Sequence, residues 1–381
     1  MSWEIEFENL PVGYAHAVNE DEGTVQIKSI EFCSSEDGDH FIQRLEGFPS
    51  EVIKKLPNDE KIKESEVDHM LVIIQKDKSA IAYVNELSFI AQVETKKDKV
   101  NKGDLVYKDD IADIIDFVIQ DVEIPNDCGV FFLFSVGWRK GLFFDYSPLL
   151  PDKDILRSFD LSKEFAALYT YLSYQNRFKI TEATWNNLFK AGWFPFNALS
   201  EKSIDRLIKL AQHAEDPDKA LEDIREDITF RLGGWLKKWG NADHIKPHIA
   251  FLETAVQRFK NQDYISAVSI LFPRIEGILR EHHFTINPNA TTTKQDALAS
   301  SAVQKIGTDE NPKHLILPEK FRQYLAEVYF ANFDPHAPEG TSRNTIGHGV
   351  ANTEDFNEKN ACLAFLIIEQ LCMCMNNGNK S

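Results

Sequence analysis

Val130-Phe131-Phe132-Leu133-Phe134-Ser135-Val136 and Leu142-Phe143-Phe144 flank the pentapeptide Gly137-Trp138-Arg139-Lys140-Gly141. Two apolar runs on either side of a polar tip bracketed by glycines read as a β-hairpin. Working towards the N-terminus, residues 27–32, 70–74, 80–84 and 88–93 carry strand patterns, and Asn85-Glu86 breaks the last two apart. Helical spacing is expected at residues 40–55 and 109–119. Residues 1–150 therefore read as an α+β domain.

Towards the C-terminus, Ser147-Pro148-Leu149-Leu150-Pro151 reads as a junction, after which the strand signal almost vanishes. Helical periodicity takes over at residues 156–176, 182–189, 201–214, 219–238, 245–260, 264–283, 294–306, 318–330 and 356–375. Asp216-Pro217 is a helix-entry signal ahead of the fourth of these. In residues 264–283, Ile265, Val268, Ile270, Leu271, Ile275, Ile278 and Leu279 mostly follow one stripe. Residues 362–371 are apolar nearly all round, which places that helix centrally in a bundle or at a subunit contact. The expected fold class is an α+β N-terminal domain followed by an all-α region ending in a helical bundle. The expected division is 1–150, a helical connector at 151–242, and the bundle at 243–381.

The 381 residues, 43% hydrophobic and 27% charged, have ordinary globular usage, which excludes bulk disorder. The formal charge of −18 is unevenly spread. Residues 1–150 hold 15 Lys/Arg and 30 Asp/Glu, net −15, and the remainder holds 27 and 30, net −3. The first part would repel phosphates, so broad nucleic-acid binding is not expected there. Five cysteines, Cys33, Cys128, Cys362, Cys372 and Cys374, show no CxxC pairing and read as buried reduced thiols. The start MSWEIEFENL lacks a basic and then apolar leader pattern, and no apolar run approaches the ~20 residues of a membrane span. A soluble cytoplasmic protein is expected.

The segment richest in chemistry is Gly340-Thr341-Ser342-Arg343-Asn344-Thr345-Ile346-Gly347-His348-Gly349, between two apolar helices. A guanidinium can grip a phosphate through paired donors, and an imidazole can move protons near neutral pH. An ideal helix sets Arg343 and His348 about 140° apart, at ~100° per residue. Gly347 and Gly349 are expected to relax that constraint. This set suits attack of an RNA 2'-hydroxyl on the adjacent phosphate, with His handling the proton and Arg stabilising the charged phosphorane. No metal is needed for it.

Arg343-Asn344-x-x-x-His348 resembles the R-x4-6-H motif of HEPN domains in its R-N-x-x-x-H form. Upstream, the stretch from Ala267 through Pro273 and Glu276 to Arg280 is similar to the long second helix of such domains. Downstream, residues 361–373 are similar to their terminal helix, and the resemblance covers roughly residues 243–376. It implies a compact helical bundle, often dimeric, in which two motif copies form one composite ribonuclease site. It also implies action as a bacterial toxin, abortive-infection or anti-phage effector, with no cofactor. Carried over, Arg343 binds the scissile phosphate, His348 transfers the proton, Asn344 orients the pair and Glu276 holds Arg343. The partners implied are an RNA substrate, a second copy of the chain, and an antitoxin or trigger protein acting through residues 1–150. The alternative is a non-catalytic dimerisation and RNA- or nucleotide-binding module.

Structural readings stand beside these. Arg343 and His348 could cap neighbouring helices, Asn344 could serve a turn, and Glu276 could pair with Arg274 or Arg280. His244 and His248 have metal-compatible spacing but lack a nearby carboxylate pattern, and Pro247 points to helix initiation. His282 and His283 suit a helix C-terminus. Trp138-Arg139-Lys140 could stack on a base or, more simply, cover the sheet. No P-loop, GxSxG or GxGxxG is present.

Overall fold

The computed structural model describes residues 2–17, 25–57, 62–97, 99–150, 155–304, 313–336 and 340–376. Pro151 of the expected junction, the end of the helix expected at 294–306 and the tail after 376 lie outside these. The chain forms two compact units. The first takes residues up to Gln92 and Ile114–Gln175, with a short stretch ending at Lys313. The second takes Val93–Asp113 and the rest of the chain from Asn176 onward.

In the first unit, β1 (Ser2–Glu6) is followed by the ribbon of β2 (Tyr14–Ala17) and β3 (Val25–Lys28) and then by β4 (Ile30–Ser34). Helices α1 (Asp39–Glu46) and α2 (Phe48–Lys55) come next. The strands β5 (His69–Ile74), β6 (Ser79–Val84), β7 (Phe89–Thr95), β8 (Ile111–Ile119), β9 (Gly129–Val136) and β10 (Arg139–Asp145) lead to helix α3 (Leu161–Ser173), with the last residues of β7 and the first of β8 counted in the second unit. Six strands pair in the order β1-β6-β5-β9-β10-β4, and every pairing is antiparallel.

The hairpin read from residues 130–144 lies inside this sheet, between β5 and the edge strand β4. Leu142 faces Leu133 and Phe143 faces Phe132 across it. Strand side chains alternate, so Phe131 and Leu133 enter a core with Phe41, Phe48 and Val52 of α1 and α2. Phe132 instead meets Phe165 of α3 at 4.6 Å between ring centroids, and Phe134 stacks on Tyr169 at 6.4 Å. A strand covered on both faces has no polar side to show, which explains the unbroken apolar run.

Two expectations are corrected here. Residues 109–119 are not a helix but a short 3-10 turn (Lys108–Asp110) and strand β8, paired with β7. The β-branched Ile111, Ile114, Ile115, Val118 and Ile119 suit a strand, and cross-strand pairing decides against the helical spacing. The single helix expected at 40–55 is two, broken at Gly47 with Pro49 in the first turn of α2.

The second unit is helical, and among the described residues no strand follows β10. After the short α4 (Gln175–Phe178) come α5 (Glu182–Lys190), α6 (Glu201–Gln212), α7 (Leu221–Asn241), α8 (Ile249–Lys260), α9 (Tyr264–Ile286) and α10 (Gln295–Val303). Then follow α11 (Pro318–Tyr324) with a π-turn at Leu325–Tyr329, α12 (Arg343–Gly347) and α13 (Glu358–Asn376). The expected boundaries at 150 and 242 do not hold. Residues 156–175 belong with the sheet unit, and Trp185, Trp193, Ile224 and Trp239 share one core with Leu252, Ile275 and Phe365. A connector with its own amphipathic helices buries their apolar faces in the neighbouring bundle rather than leaving them exposed.

Helix α13 is the centre of that core. Cys362, Ala364, Phe365, Leu366, Ile368 and Leu371 are wholly buried. Its most deeply buried polar residues, Glu369 and Gln370, are also satisfied within the chain. Glu369 accepts Lys238 Nζ at 2.7 Å and Trp239 Nε1 at 2.8 Å, and Gln370 bridges the Asn197 amide and the Ile316 carbonyl. Of the two placements expected for this helix, the central one holds. Its apolar surface therefore gives no argument for a subunit contact. All five cysteines are buried thiols. Among the described residues no helix is long and apolar enough to cross a membrane.

Candidate functional site

Residues 343–348 occupy a short, well-anchored turn of helix. Ser342 caps α12: its hydroxyl accepts the Thr345 amide at 3.2 Å, and Thr345 Oγ1 accepts the Ser342 amide at 2.9 Å. Upstream of the cap, Thr341 is tied to Asp355 at 2.7 Å and receives Asn360 Nδ2 of α13 at 3.0 Å. The helix does not break at Gly347. It runs on to His348, whose amide reaches the Asn344 carbonyl at 3.0 Å, and stops where Gly349 takes φ +71°.

The expected relaxation at Gly347 therefore takes another form. Arg343 bends over that glycine: a Cβ built there would lie 2.9 Å from Arg343 Nη1. The missing side chain gives the guanidinium room at the helix end next to His348. Arg343 is 27% exposed and pairs through Nε with Glu276 of α9, whose side chain is 6% exposed. His348 is exposed, with its ring beside Phe333 at 5.7 Å between centroids. Among the described residues no hydrogen bond fixes its imidazole.

Asn344 does something other than expected. It is buried, and its Nδ2 donates to the carbonyl oxygens of Phe330 at 3.0 Å and Ala331 at 3.3 Å. It also exchanges amide hydrogen bonds with Gln295 at the start of α10, at 2.7 and 3.3 Å. Its side chain bonds neither Arg343 nor His348. Asn344 is thus an anchor that ties the motif helix to α10 and to the end of the π-turn. A buried amide must satisfy both its oxygen and its nitrogen, and these partners do so.

Of the three partners considered for the Glu276 carboxylate, two are found, Arg280 and Arg343. Oε1 accepts Arg280 Nε at 2.9 Å, one helical turn on, while Oε2 faces Arg343. Arg274 turns instead to the ring of Phe251 at 4.4 Å. Beneath the site, Tyr329 is fully buried and donates to the Phe272 carbonyl at 2.6 Å. Burial first, then the nearby Glu276 charge, push its phenol well above the usual tyrosine range.

Four other histidines, His244, His248, His282 and His283, sit in structural contacts. His248 lies 3.3 Å from Glu281, and burial outweighs that carboxylate, so its pKa is lowered. The rings of His244 and His282 meet edge to face at 4.8 Å. His282 and His283 do not cap α9, which continues to Ile286. His282 Nε2 donates to the Ser301 carbonyl at 3.1 Å, and His283 lies 2.6 Å from Ser301 Oγ. Among the described residues no group of three His, Cys, Asp or Glu side chains converges as metal ligands would. On the first unit, Trp138 is 73% exposed rather than covering the sheet, with Arg139 over its ring at 4.9 Å.

The arrangement gathers Arg343, Glu276 and Arg280, sets His348 at the same helix end as the Arg343 guanidinium, and leaves Asn344 out of the chemistry. Gln295 and Phe333 belong to the surroundings but carried no signal in the sequence. A lone Gln at a helix start and a lone Phe in a loop have no local pattern that marks them. No family model matches the chain, and no curated protein or solved structure matches it either.

Proposed function

We propose that the chain is a metal-independent endoribonuclease of HEPN type, with Arg343 and His348 as its working groups. The observation that carries this reading is that Arg343 is held by the buried Glu276 yet remains partly exposed, at the helix end that presents the exposed His348. In the reaction, the RNA 2'-oxygen bonds to the adjacent phosphorus while its proton is removed. The P–O5' bond breaks, the 5'-oxygen gains a proton, and a 2',3'-cyclic phosphate remains. His348 moves a proton in this sequence, and Arg343 stabilises the extra negative charge on the phosphorane.

The same reading makes the protein a cytoplasmic toxin or anti-phage effector. Its site is completed by a second copy of the chain, and its acidic first unit senses a trigger or binds an antitoxin. The test is incubation of the purified protein with total RNA in EDTA. Cleavage with 2',3'-cyclic phosphate ends, lost in Arg343→Ala and His348→Ala, supports it. Full cleavage by both variants overturns it. A second reading, a non-catalytic RNA- or nucleotide-binding module, is favoured by one observation: Asn344 is spent on anchoring, so the His348 ring lacks the partner that would orient it. Specific RNA binding without turnover, unaffected by His348→Ala, would decide for the module.

A further inference from the structure

Glu276 carries one negative charge and serves two guanidiniums. Its Oε1 receives Arg280 Nε at 2.9 Å and Nη2 at 2.5 Å, and its Oε2 faces Arg343 Nε. Arginine stays charged at any pH a protein survives. The trio therefore holds one surplus positive charge, and among the described residues no other carboxylate pairs with either arginine. On a chain of formal charge −18 this is a local reversal of sign.

Neither arginine is sealed off. Arg280 is 43% exposed and Arg343 27% exposed, while the carboxylate between them is only 6% exposed. Arg280 is also held in place: Nη1 donates to Thr293 Oγ1 at 2.8 Å. Those bonds engage three of the five N–H donors a guanidinium has, which leaves two for a ligand on a side chain that is 43% exposed. Because the two guanidiniums approach different oxygens of one carboxylate, they form two neighbouring anion positions. The half-buried Phe333 ring beside His348 offers a base a stacking face at the same site.

We propose that Arg280 is a second phosphate-binding residue, taking the phosphate next to the one at Arg343, so that the site grips consecutive phosphates of single-stranded RNA. This rests on the ribonuclease reading for the identity of the ligand, but its test does not require cleavage. Full-length protein is titrated with fluorescent 2'-deoxyuridine dinucleotide and tetranucleotide, which carry one and three phosphodiesters and lack the 2'-hydroxyl, over a range of NaCl concentrations. Wild type binds the tetranucleotide more tightly. Arg280→Gln weakens tetranucleotide binding about tenfold and dinucleotide binding less than about twofold. It also flattens the tetranucleotide slope of log K against log salt by about 0.7, the contribution of one phosphate contact on a single strand. Arg280→Lys, which keeps the charge, restores most of the slope.

Equal weakening of both probes by Arg280→Gln would show that Arg280 acts only by positioning Glu276 and Arg343, and overturns the proposal. So does an unchanged tetranucleotide affinity, or wild type binding neither probe. If the expected binding pattern holds while wild type cleaves no RNA, the nuclease reading fails and this one stands. If RNA is cleaved but the pattern is absent, the reverse holds.

Discussion

Two arginine–carboxylate pairs, one in each unit, use the same chemistry to different ends. In the first unit Arg157 and Asp145 are both wholly buried, 2.7 Å apart. Arg157 also donates to the carbonyl oxygens of Pro125 and Cys128, and Asp145 accepts the amide and hydroxyl of Ser147. In the second unit Glu276 is buried but Arg343 reaches the surface. A pair sealed from solvent on both sides can only fix the fold. A pair with its cation half in solvent still has donors to offer a ligand. Exposure of the guanidinium, more than the presence of the pair, separates a structural arginine from one able to bind phosphate.

Substitutions can break or sharpen that contrast. The largest expected effect is on catalysis: Arg343→Ala and His348→Ala each lower RNA cleavage by about 10²- to 10⁴-fold. Unfolding in urea should shift by about 1 kcal/mol or less for Arg343→Ala, since Arg280 still holds Glu276. The converse applies to Arg157→Met, which strands the buried Asp145 and should cost about 3–5 kcal/mol in the same measurement. If Arg343→Ala destabilises as much as Arg157→Met, the distinction between the pairs collapses.

Gly347→Ala is a finer probe. The new Cβ must push the Arg343 guanidinium aside, so cleavage should fall about 10- to 100-fold. Stability should stay within about 1 kcal/mol, because alanine is the better helix former and the displaced group is the end of a long side chain. Unchanged activity would mean that the position of the guanidinium over Gly347 is immaterial.

The smallest effect concerns a third cation, Lys96, which has a hydrogen bond to the Leu199 carbonyl at 3.3 Å and, among the described residues, no carboxylate paired with it. Burial, then the charges of Arg177 and Arg231, lower its pKa to about 7. Between that value and its usual one the unfolded chain binds the proton and the folded chain does not. Raising the pH through this window therefore favours folding. Lys96→Met should stabilise the protein at pH 7, on the order of 1 kcal/mol or more, with the advantage shrinking towards pH 10. A gain in melting temperature that does not vary with pH would contradict this.

The helical part of the chain was largely legible because amphipathic spacing over ten or more residues is a strong local signal. Helices α5 to α11 and α13 lie where the periodicity puts them. Strand β8 was misread because Ile111, Ile114, Ile115 and Val118 satisfy a helical spacing nearly as well as an alternating one, and only the partner strand β7 decides. The unit boundary was illegible for a related reason. Helix α3 is amphipathic on its own, and nothing local says that Phe165 will seek Phe132. At the site, Glu276 and Arg343 were legible as a possible pair, and Arg280 only as a local ion-pair partner. Asn344 was misassigned because an amide beside an arginine and near a histidine looks functional in one dimension. Its true partners, Gln295 and the carbonyl oxygens of Phe330 and Ala331, are remote or unmarked.

Helix α12 has only five residues, far fewer than an isolated helix needs to persist in water. Its shape is therefore leased from its neighbours, through the Gln295 amide exchange on one side and the Asn360 tether on the other. Anything that pulls α10 or α13 away from this turn would dissolve the spatial relation between Arg343 and His348 while leaving both side chains chemically intact. A site built in this way could be disarmed from a distance, by a hand laid on its scaffold rather than on its blade.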